Sequence, residues 1–313
     1  MRWATFKCGE DSSTNRVGVV VDNRIFAIAP GECLLDLIGG GPDALREAGE
    51  RTLRAPASTH ALADVRLRPP VPNPPSIRDF ASFREHIEVS MGNLDVSLRP
   101  DWFDAPTFYF TSPNNLFGAD DVVRVAGDTV QMDYELEVCA VIGSGGIDIA
   151  PEDAGRHIAG YAIFNDWSAR DLQSAEMRRL PVGPGKGKDA ATSIGPFLVT
   201  PDELEDRRSG RGFDLTMTAS VNGTRFSTGN LSSIGWSFPE MIAFASRGSP
   251  LVPGDIIGSG TVGTGCILEL AGSHGADRFP WLRDGDEVVL EVERLGTLRN
   301  TVAWGPRAVP LRV

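Results

Sequence analysis

Membrane and secretion signals are absent from this sequence. No apolar run approaches the roughly 20 residues that a membrane-spanning helix needs. The first residues, MRWATFKCGEDSS, also lack the apolar core of about 7–15 residues that marks a signal peptide. Both absences predict a protein of the cytoplasm that does not work on a membrane.

Cysteine pairs and an excess of positive charge are also missing. The four cysteines are scattered without a C-x-x-C pair, so we expect free, mostly buried thiols rather than a disulfide framework or a zinc site. The formal net charge is −12, which argues against a nucleic-acid partner because nucleic acids are bound by clustered lysine and arginine. A negative charge is compatible with cation binding.

The length and the proline distribution suggest how the chain is divided. The 313 residues suffice for one large domain, or for one domain with a small appendage. Segment 17–30 has a β-hairpin pattern and segment 42–53 a helical one. Five prolines in segment 68–77 predict a stiff connector, because proline fixes φ and cannot donate to a sheet. We therefore predict a small β-rich N-terminal domain over 1–68 and a main domain over 69–313.

Strand patterns dominate the main domain. Segment 214–229 has a hairpin pattern around Asn222-Gly223, and segment 286–304 has a second one. The regular alternation of strands and helices that builds a doubly wound sheet is missing. We therefore predict a mixed α/β, β-rich fold, with its few helices near 80–92, 151–155 and 238–247.

Residues 132–143, MDYELEVCAVIG, read as a buried strand that nevertheless carries three carboxylates. Because side chains alternate along a strand, Asp133, Glu135 and Glu137 are predicted to share one face. Burying two like charges about 6.5–7 Å apart is costly, and a divalent cation that both carboxylates reach removes that cost. An edge strand with its acidic face in water would show the same alternation.

Asp166, Asp79 and His86 are weaker candidates when each is taken alone. Asp166 stands in FNDWSARDLQ where a β-run ends, a position that suits a functional carboxylate and equally a helix N-cap. Asp79 and His86 lie seven residues apart in IRDFASFREHIEVS. Because His86 lies in a charged segment, both a surface histidine and a general base are compatible with it.

Two glycine-rich segments do not match nucleotide-binding motifs. Lys188 follows glycines in GPGKGKDAATSIGPFLVT, but the spacing of a P-loop fails there. Gly258, Gly260 and Gly263 fit G-x-G-x-x-G, yet the TGCILEL that comes next is predicted to be a short strand. A dinucleotide site needs a helix at that point, so we reject this function.

Taken together and in this order, the candidate segments resemble the fumarylacetoacetate hydrolase family. The resemblance covers about residues 77–300, most of the chain, and the pair formed by NDWSARDLQ and the E-x-E strand is highly specific. The matching segments are Asp79 with His86, DYELEV, NDWSARDLQ, GKGKDAATSIGP, VNGTRFSTGNLSS and PGDIIGSGT.

The resemblance implies a fold, an assembly and a metal. The fold is the family's mixed β-roll with a smaller β-rich N-terminal unit, and the usual assembly is a homodimer. The metal is Mg²⁺, or alternatively Ca²⁺ or Mn²⁺, all of which accept oxygen ligands. The ligands implied for it are Asp79, Glu135, Glu137 and Asp166. Asp133 would then be a supporting residue rather than a ligand.

The resemblance also implies roles in catalysis. His86 is the implied general base for water, and Glu269 is the acid that orients it. Lys188 and Gln173 are expected to stabilise negative charge on substrate oxygens. The implied substrate contacts are Arg170 and Thr261.

The implied reaction is hydrolysis of a C–C bond in a 2,4-diketo acid, such as fumarylacetoacetate or an acylpyruvate, through an enolate held on the metal. Two enzyme alternatives stay open on the same site: decarboxylation of a 2-oxo diacid such as oxaloacetate, and isomerisation or hydration of a 2-hydroxy-dienoate. A binding protein that kept only the fold is a third alternative. The presence of both His86 and Glu269 favours hydrolysis, because activation of water needs a base.

The substrate is not identified by the resemblance. Ala81 and Asp95 stand where the family's classical hydrolase has a substrate-binding tyrosine and arginine. Segment 87–106 is long and of mixed composition, and we predict that it forms a lid over the site.

Overall fold

The computed structural model describes residues 1–8, 14–93, 97–179 and 183–309. The described strands, in chain order, are β1 (Arg2–Cys8), β2 (Arg16–Val21), β3 (Arg24–Ala27), β4 (Ser58–Ala61), β5 (Val65–Arg68), β6 (Ile77–Phe80), β7 (Phe108–Thr111), β8 (Leu116–Phe117), β9 (Val122–Val125), β10 (Met132–Asp133), β11 (Leu136–Ile142), β12 (Ile158–Asp166), β13 (Ser168–Ala169), β14 (Thr192–Val199), β15 (Arg208–Ser209), β16 (Gly212–Phe213), β17 (Thr216–Val221), β18 (Thr224–Asn230), β19 (Ile256–Gly258), β20 (Glu287–Val292) and β21 (Gly296–Trp304).

Seven α-helices accompany the strands in the described ranges, so the predicted mixed α/β, strand-rich fold is confirmed. None of them is long and apolar enough to cross a membrane. The helices are α1 (Leu34–Gly39), α2 (Gly41–Arg54), α3 (Arg84–Asn93), α4 (Pro151–Ala154), α5 (Arg170–Arg179), α6 (Phe238–Ala245) and α7 (Ile267–His274).

Two sheets contain most of the strands. The larger sheet has the order β4-β3-β2-β1-β14-β12-β11-β19-β6-β7, with β5 paired to β1 and β8 paired to β14. The smaller sheet has the order β18-β17-β20-β21-β9. Two short pairs, β10-β13 and β15-β16, lie outside both sheets.

The centre of the larger sheet carries the carboxylates. Strands β11 and β12 are buried along their whole length, as expected for runs as apolar as LEVCAVI and IAGYAIF. Glu137 near the start of β11 pairs with Phe164 on β12, and Asp166 ends β12. On the other side of β11, β19 pairs in parallel with β6, which sets Gly258 opposite Asp79. The register therefore brings Asp79, Glu137 and Asp166 towards one region.

The strands of the first 68 residues join this same sheet. Strand β1 pairs with β14 of the main part of the chain, with Trp3 opposite Leu198. The division into 1–68 and 69–313 stays a prediction. The predicted hairpins at 17–30 and 214–229 are confirmed as β2-β3 and β17-β18.

Two local predictions from the sequence are wrong. Segment 132–143 is not one strand but two, β10 and β11, and Glu135 between them forms an isolated bridge with Cys266. TGCILEL is not a strand, because α7 begins inside it at Ile267. The reason is a distant contact: the Asp133 carboxylate accepts hydrogen bonds from the backbone N–H groups of Ile267 and Leu268, at 2.7 and 3.0 Å, and so caps the helix.

The predicted lid is described only in part. Helix α3 forms the beginning of segment 87–106, whereas residues 94–96, which include Asp95, lie outside the described residues. The lid stays a prediction.

Candidate active site

Three buried carboxylates form the centre of the site. Asp79 lies on β6, Glu137 on β11, and Glu135 just before β11. Each offers an oxygen atom that lies within 4.8 Å of the other two. All three side chains are almost fully buried, so water does little to screen their repulsion. We call Asp79, Glu135, Glu137 and Asp166 the carboxylate group.

The pKa values within the carboxylate group differ with their surroundings. Burial, reinforced by the charge of Asp166, raises the pKa of Asp79 to about 7. Burial and the charge of Asp79 raise the pKa of Glu137 well above its ordinary value. Burial also raises the pKa of Asp166. Burial acts on Glu135 in the same direction, but the positive charges of Lys188 and Arg170 overcome it and hold the pKa of Glu135 below its ordinary value.

Two oxygen atoms of the carboxylate group lack a partner. Among the described residues, nothing donates a hydrogen bond to Glu137 Oε2 or to Asp166 Oδ1, although both atoms are buried. Buried polar atoms without a partner are rare in proteins, and such an atom often marks an ion or a water site. Several carboxylate oxygens in one small region match the ligands that Mg²⁺, Ca²⁺ or Mn²⁺ prefer. The donor set therefore fits a divalent cation.

Asp166 is attached to this centre through a lysine and a tyrosine. Its Oδ2 lies 2.7 Å from Lys188 Nζ and also accepts a hydrogen bond from the Tyr109 hydroxyl. Lys188 Nζ lies 2.5 Å from Glu135 Oε2 as well. Lys188 is buried and bridges two members of the carboxylate group, which offsets part of their negative charge.

Arg170 and Gln173 lie at the start of α5, beside the carboxylate group. The buried Arg170 guanidinium donates to Asp133 Oδ2 at 2.9 Å and to Glu135 Oε1 at 2.7 Å. It also donates to Gln173 Oε1 at 3.0 Å. All three acceptors are protein groups, and one of them is Glu135. Arg170 therefore helps to hold the Glu135 carboxylate in place. Its assigned contact with substrate stays a prediction.

Thr261 follows β19 and reaches the same centre. Its hydroxyl donates to Glu137 Oε1 at 3.1 Å, so within the described part of the chain Oε2 is the oxygen of that carboxylate that lacks a partner. The threonine thus fixes the orientation of Glu137, and it is itself buried.

His86 and Glu269 form the other part of the site. His86 lies on α3 and Glu269 in the first turn of α7, and the imidazole Nδ1 contacts Glu269 Oε1. The second oxygen of Glu269 accepts a hydrogen bond of 2.7 Å from the backbone N–H of Thr264. This pair lies close to the carboxylate group, because the bridge between Glu135 and Cys266 holds the start of α7 beside it.

The sequence did not reveal Tyr109, which the structure brings into the site. Strand β7 pairs with β6 so that Tyr109 stands opposite Asp79. The phenol hydroxyl donates to Asp79 Oδ2 at 3.0 Å and to Asp166 Oδ2. In the sequence, TFYF is only a run of aromatic residues. The pairing of β6 with β7 determines that the tyrosine, rather than a neighbouring phenylalanine, lies opposite Asp79.

The start of α7 is also the place where a dinucleotide site would bind phosphate. The helix does follow the G-x-G-x-x-G match, contrary to the sequence prediction. Its first N–H groups are already taken by the Asp133 carboxylate, which a phosphate would have to displace.

Comparison with known proteins gives a consistent result. The family model described as fumarylacetoacetate (FAA) hydrolase C-terminal matches residues 76–303. An oxaloacetate tautomerase of Bacillus subtilis is 33% identical over 247 residues, which are 78% of this chain and 75% of that protein. A maleylpyruvate hydrolase of Aquipseudomonas alcaligenes is 29% identical over 300 residues, 91% of this chain and 95% of that protein.

A solved structure agrees with these matches. It is a maleylpyruvate hydrolase of Sphingobium sp. SYK-6 in complex with manganese(II) and pyruvate. It is 25% identical to this chain, with a TM-score of 0.71 over 98% of this chain and 100% of its own.

Proposed function

This chain belongs to the fumarylacetoacetate hydrolase family, and from that premise we propose that it is a metal-dependent hydrolase cleaving a C–C bond in a 2,4-diketo acid. The observation that carries the proposal is the contact of a buried histidine with a buried glutamate, His86 with Glu269, beside the carboxylate group. A base held in one orientation next to a cation site is what the activation of water requires.

We propose that the carboxylate group holds Mg²⁺, with Ca²⁺ or Mn²⁺ as alternatives. Support comes from two buried oxygen atoms, on Glu137 and Asp166, for which the described ranges contain no hydrogen-bond partner. When bound, such a cation supplies Lewis-acid polarisation of substrate carbonyls. Within the carboxylate group, Lys188 and Arg170 fix Glu135, and Thr261 fixes Glu137.

His86 is the proposed base. We propose the tautomer in which Nδ1–H donates to the Glu269 carboxylate, so that the other ring nitrogen, Nε2, keeps its lone pair and can accept a proton from water. As the proton moves to Nε2, the water oxygen bonds to C4 of the diketo acid. The C3–C4 bond then breaks, and its electron pair remains on C3 as an enolate. That carbon takes the proton back from His86, which gives a carboxylic acid and a 2-oxo acid.

Further roles follow from the same proposal. Lys188 and Gln173 are proposed to stabilise negative charge on substrate oxygens, and Arg170 and Thr261 to contact the substrate. We propose that the protein's partner is a small molecule, the diketo acid, and neither a membrane nor a nucleic acid. We also propose a cytoplasmic homodimer.

A tautomerase is the second candidate function. The relative that favours it is the oxaloacetate tautomerase, at 33% identity over 78% of this chain. A tautomerase moves one proton between an enol oxygen and C3, and the pair of His86 and Glu269 is suited to that transfer too. Decarboxylation of oxaloacetate would need the same enolate.

One experiment separates these reactions. Purified protein is incubated with a small panel of 2,4-diketo acids and with enol oxaloacetate, each with Mg²⁺ and each with a chelator. Loss of the enol absorbance together with formation of two organic acids, only with Mg²⁺, supports hydrolysis. Loss of absorbance with a single product of equal mass means a tautomerase, and release of carbon dioxide means a decarboxylase. The same mixtures without protein are the control for non-enzymatic decay, and a His86→Ala variant tests whether the reaction depends on the proposed base.

A further inference from the structure

A second cluster of metal-ligating side chains lies next to the carboxylate group. It consists of His86, Cys266 and Glu269, each of which offers one ligand atom within 4.8 Å of the other two. Cys266 Sγ lies 3.7 Å from Glu269 Oε1, and His86 Nδ1 contacts that same oxygen. The proposed hydrolysis makes no use of Cys266.

The fold fixes the cysteine in this position. Cys266 is the residue immediately before α7, three positions ahead of Glu269, and its backbone pairs with Glu135. It is completely buried, whereas the side chain of His86 keeps 11% of its surface exposed. An ion would therefore reach the cluster past the imidazole.

The chemistry of the three donors points to zinc rather than magnesium. Zn²⁺ binds thiolate, imidazole and carboxylate, whereas Mg²⁺ selects oxygen ligands almost alone. Tetrahedral zinc bonds of about 2.3 Å to sulfur and about 2.1 Å to oxygen place those two atoms about 3.6 Å apart. The observed separation of Cys266 Sγ and Glu269 Oε1 is 3.7 Å. The direct contact between His86 and Glu269 would have to open.

We propose that His86, Cys266 and Glu269 form a zinc-binding site, with the fourth position left to water. Since one ion would then hold His86 and Glu269 together, the imidazole could no longer accept a proton. Zinc at this site would thus inhibit the enzyme while the carboxylate group keeps its own cation. This consequence for activity rests on the proposed function, whereas zinc binding does not.

Cobalt(II) is a spectroscopic substitute for zinc that tests binding without substrate. Cobalt bound to a thiolate gives a strong near-ultraviolet charge-transfer band, whereas the oxygen ligands of the carboxylate group give none. The wild-type protein is expected to develop this band with one equivalent of Co²⁺ beyond that taken up by the carboxylate group, and Zn²⁺ should abolish it. Absence of the band in the wild-type protein overturns the proposal, whatever the variants do.

The variants assign the band to one cysteine. Cys266→Ser should lose it, whereas Cys33→Ser should keep it. Cys33 is the matched control because it is an exposed thiol 3.0 Å from the Asp36 carboxylate, another place where a sulfur and a carboxylate meet. A band that disappears in Cys33→Ser, or persists in Cys266→Ser, overturns the assignment. Thermal unfolding with and without Mg²⁺ checks that each variant is folded.

Inhibition is measured separately. In saturating Mg²⁺, zinc should inhibit the wild-type protein, and Cys266→Ser should need more zinc by at least the roughly 10–100-fold that loss of an outer partner alone costs. Each rate is compared with the zinc-free rate of the same variant. Equal zinc sensitivity in both proteins would contradict the inhibitory role. If no substrate is found, the cobalt spectrum still decides the binding site.

Discussion

The two parts of the candidate site balance their charges in opposite ways. Among the described residues, the carboxylate group keeps buried oxygen atoms without a partner on Glu137 and Asp166, despite Lys188 and Arg170. In the pair of His86 and Glu269, one glutamate oxygen contacts the imidazole and the other accepts from a backbone N–H. The first arrangement leaves carboxylate oxygens available to a cation, whereas in the second both glutamate oxygens already have protein partners, which fits a base held in one orientation as long as no zinc is bound. Variants that affect one part and spare the other test this difference.

Glu137→Gln should have the largest effect, because it removes a charge and a ligand oxygen from the carboxylate group. We expect both activity and Mg²⁺ binding to be lost. The measurement is the Mg²⁺-induced rise in unfolding free energy, which for a wild-type site at 100 times its Kd amounts to about 2.7 kcal/mol. Glu269→Gln is the control, and it should keep the full Mg²⁺ effect while losing activity. Retention of that effect in Glu137→Gln would remove Glu137 from the cation site.

His86→Ala should separate the two parts most cleanly. The rate is expected to fall by roughly 10²–10⁴-fold, the usual loss when a general base is removed. Mg²⁺ affinity, measured by calorimetry, should stay unchanged. Ser90→Ala is the control, because the Ser90 hydroxyl lies 3.5 Å from the same imidazole nitrogen and contributes only a weak contact. If His86→Ala keeps full activity, His86 is not the general base of the proposed mechanism.

The two parts also differ in how far the sequence predicts them. Glu135 and Glu137 alternate with apolar residues in segment 132–143, and this pattern is local. Both could therefore be recognised as candidate ligands within a dozen residues. Glu269 was named only through the family resemblance. Its helix was predicted as a strand, because the cap of α7 comes from Asp133, a residue 134 positions earlier. The secondary-structure propensities of neighbouring residues give no information about a contact between residues so far apart in the sequence.

Tyr109 illustrates the same limit. The mixed, strand-rich fold and two hairpins follow from turn residues and from periodicity, which act over short distances. Which aromatic residue of TFYF faces Asp79 depends on the register between β6 and β7, separated by the predicted lid. A single sequence carries no signal for that register.

The next largest effect should be the pH dependence of Mg²⁺ binding, which reports on the carboxylate group and not on the pair of His86 and Glu269. The raised pKa values of Asp79, which is about 7, and of Glu137 mean that the folded protein without metal binds protons there. Mg²⁺ has to displace those protons, so its affinity should rise with pH by up to about tenfold per pH unit for each proton displaced, and the part of this rise that comes from Asp79 should level off above about pH 7. For the same reason, the metal-free protein should lose stability as the pH rises towards 7.

Calorimetry in two buffers of different ionisation enthalpy measures the protons released on Mg²⁺ binding. Below about pH 7 the wild-type protein should release protons, and above it the share of the release that comes from Asp79 should decline. Asp133→Asn tests whether a buried carboxylate outside the carboxylate group contributes. It should leave the release unchanged, although the pKa of Asp133 is also raised by burial. An affinity that is independent of pH would mean that the carboxylates are already ionised in the folded protein.

Tyr109→Phe should have the smallest effect. It tests whether a bound cation replaces the stabilisation that the Tyr109 hydroxyl gives to the carboxylates of Asp79 and Asp166. The hydroxyl donates to Asp79 and Asp166, so its loss should destabilise the metal-free protein by about 1.5 kcal/mol, the lower range for a bond to a charged group. With Mg²⁺ the cost should shrink, because the cation then stabilises the same carboxylates. Tyr134→Phe is the matched control: its hydroxyl bonds the neutral Ser227 hydroxyl at 2.6 Å, so its cost should not respond to Mg²⁺. If both variants lose the same stability with and without Mg²⁺, Tyr109 is a structural hydrogen-bond donor that the cation does not affect.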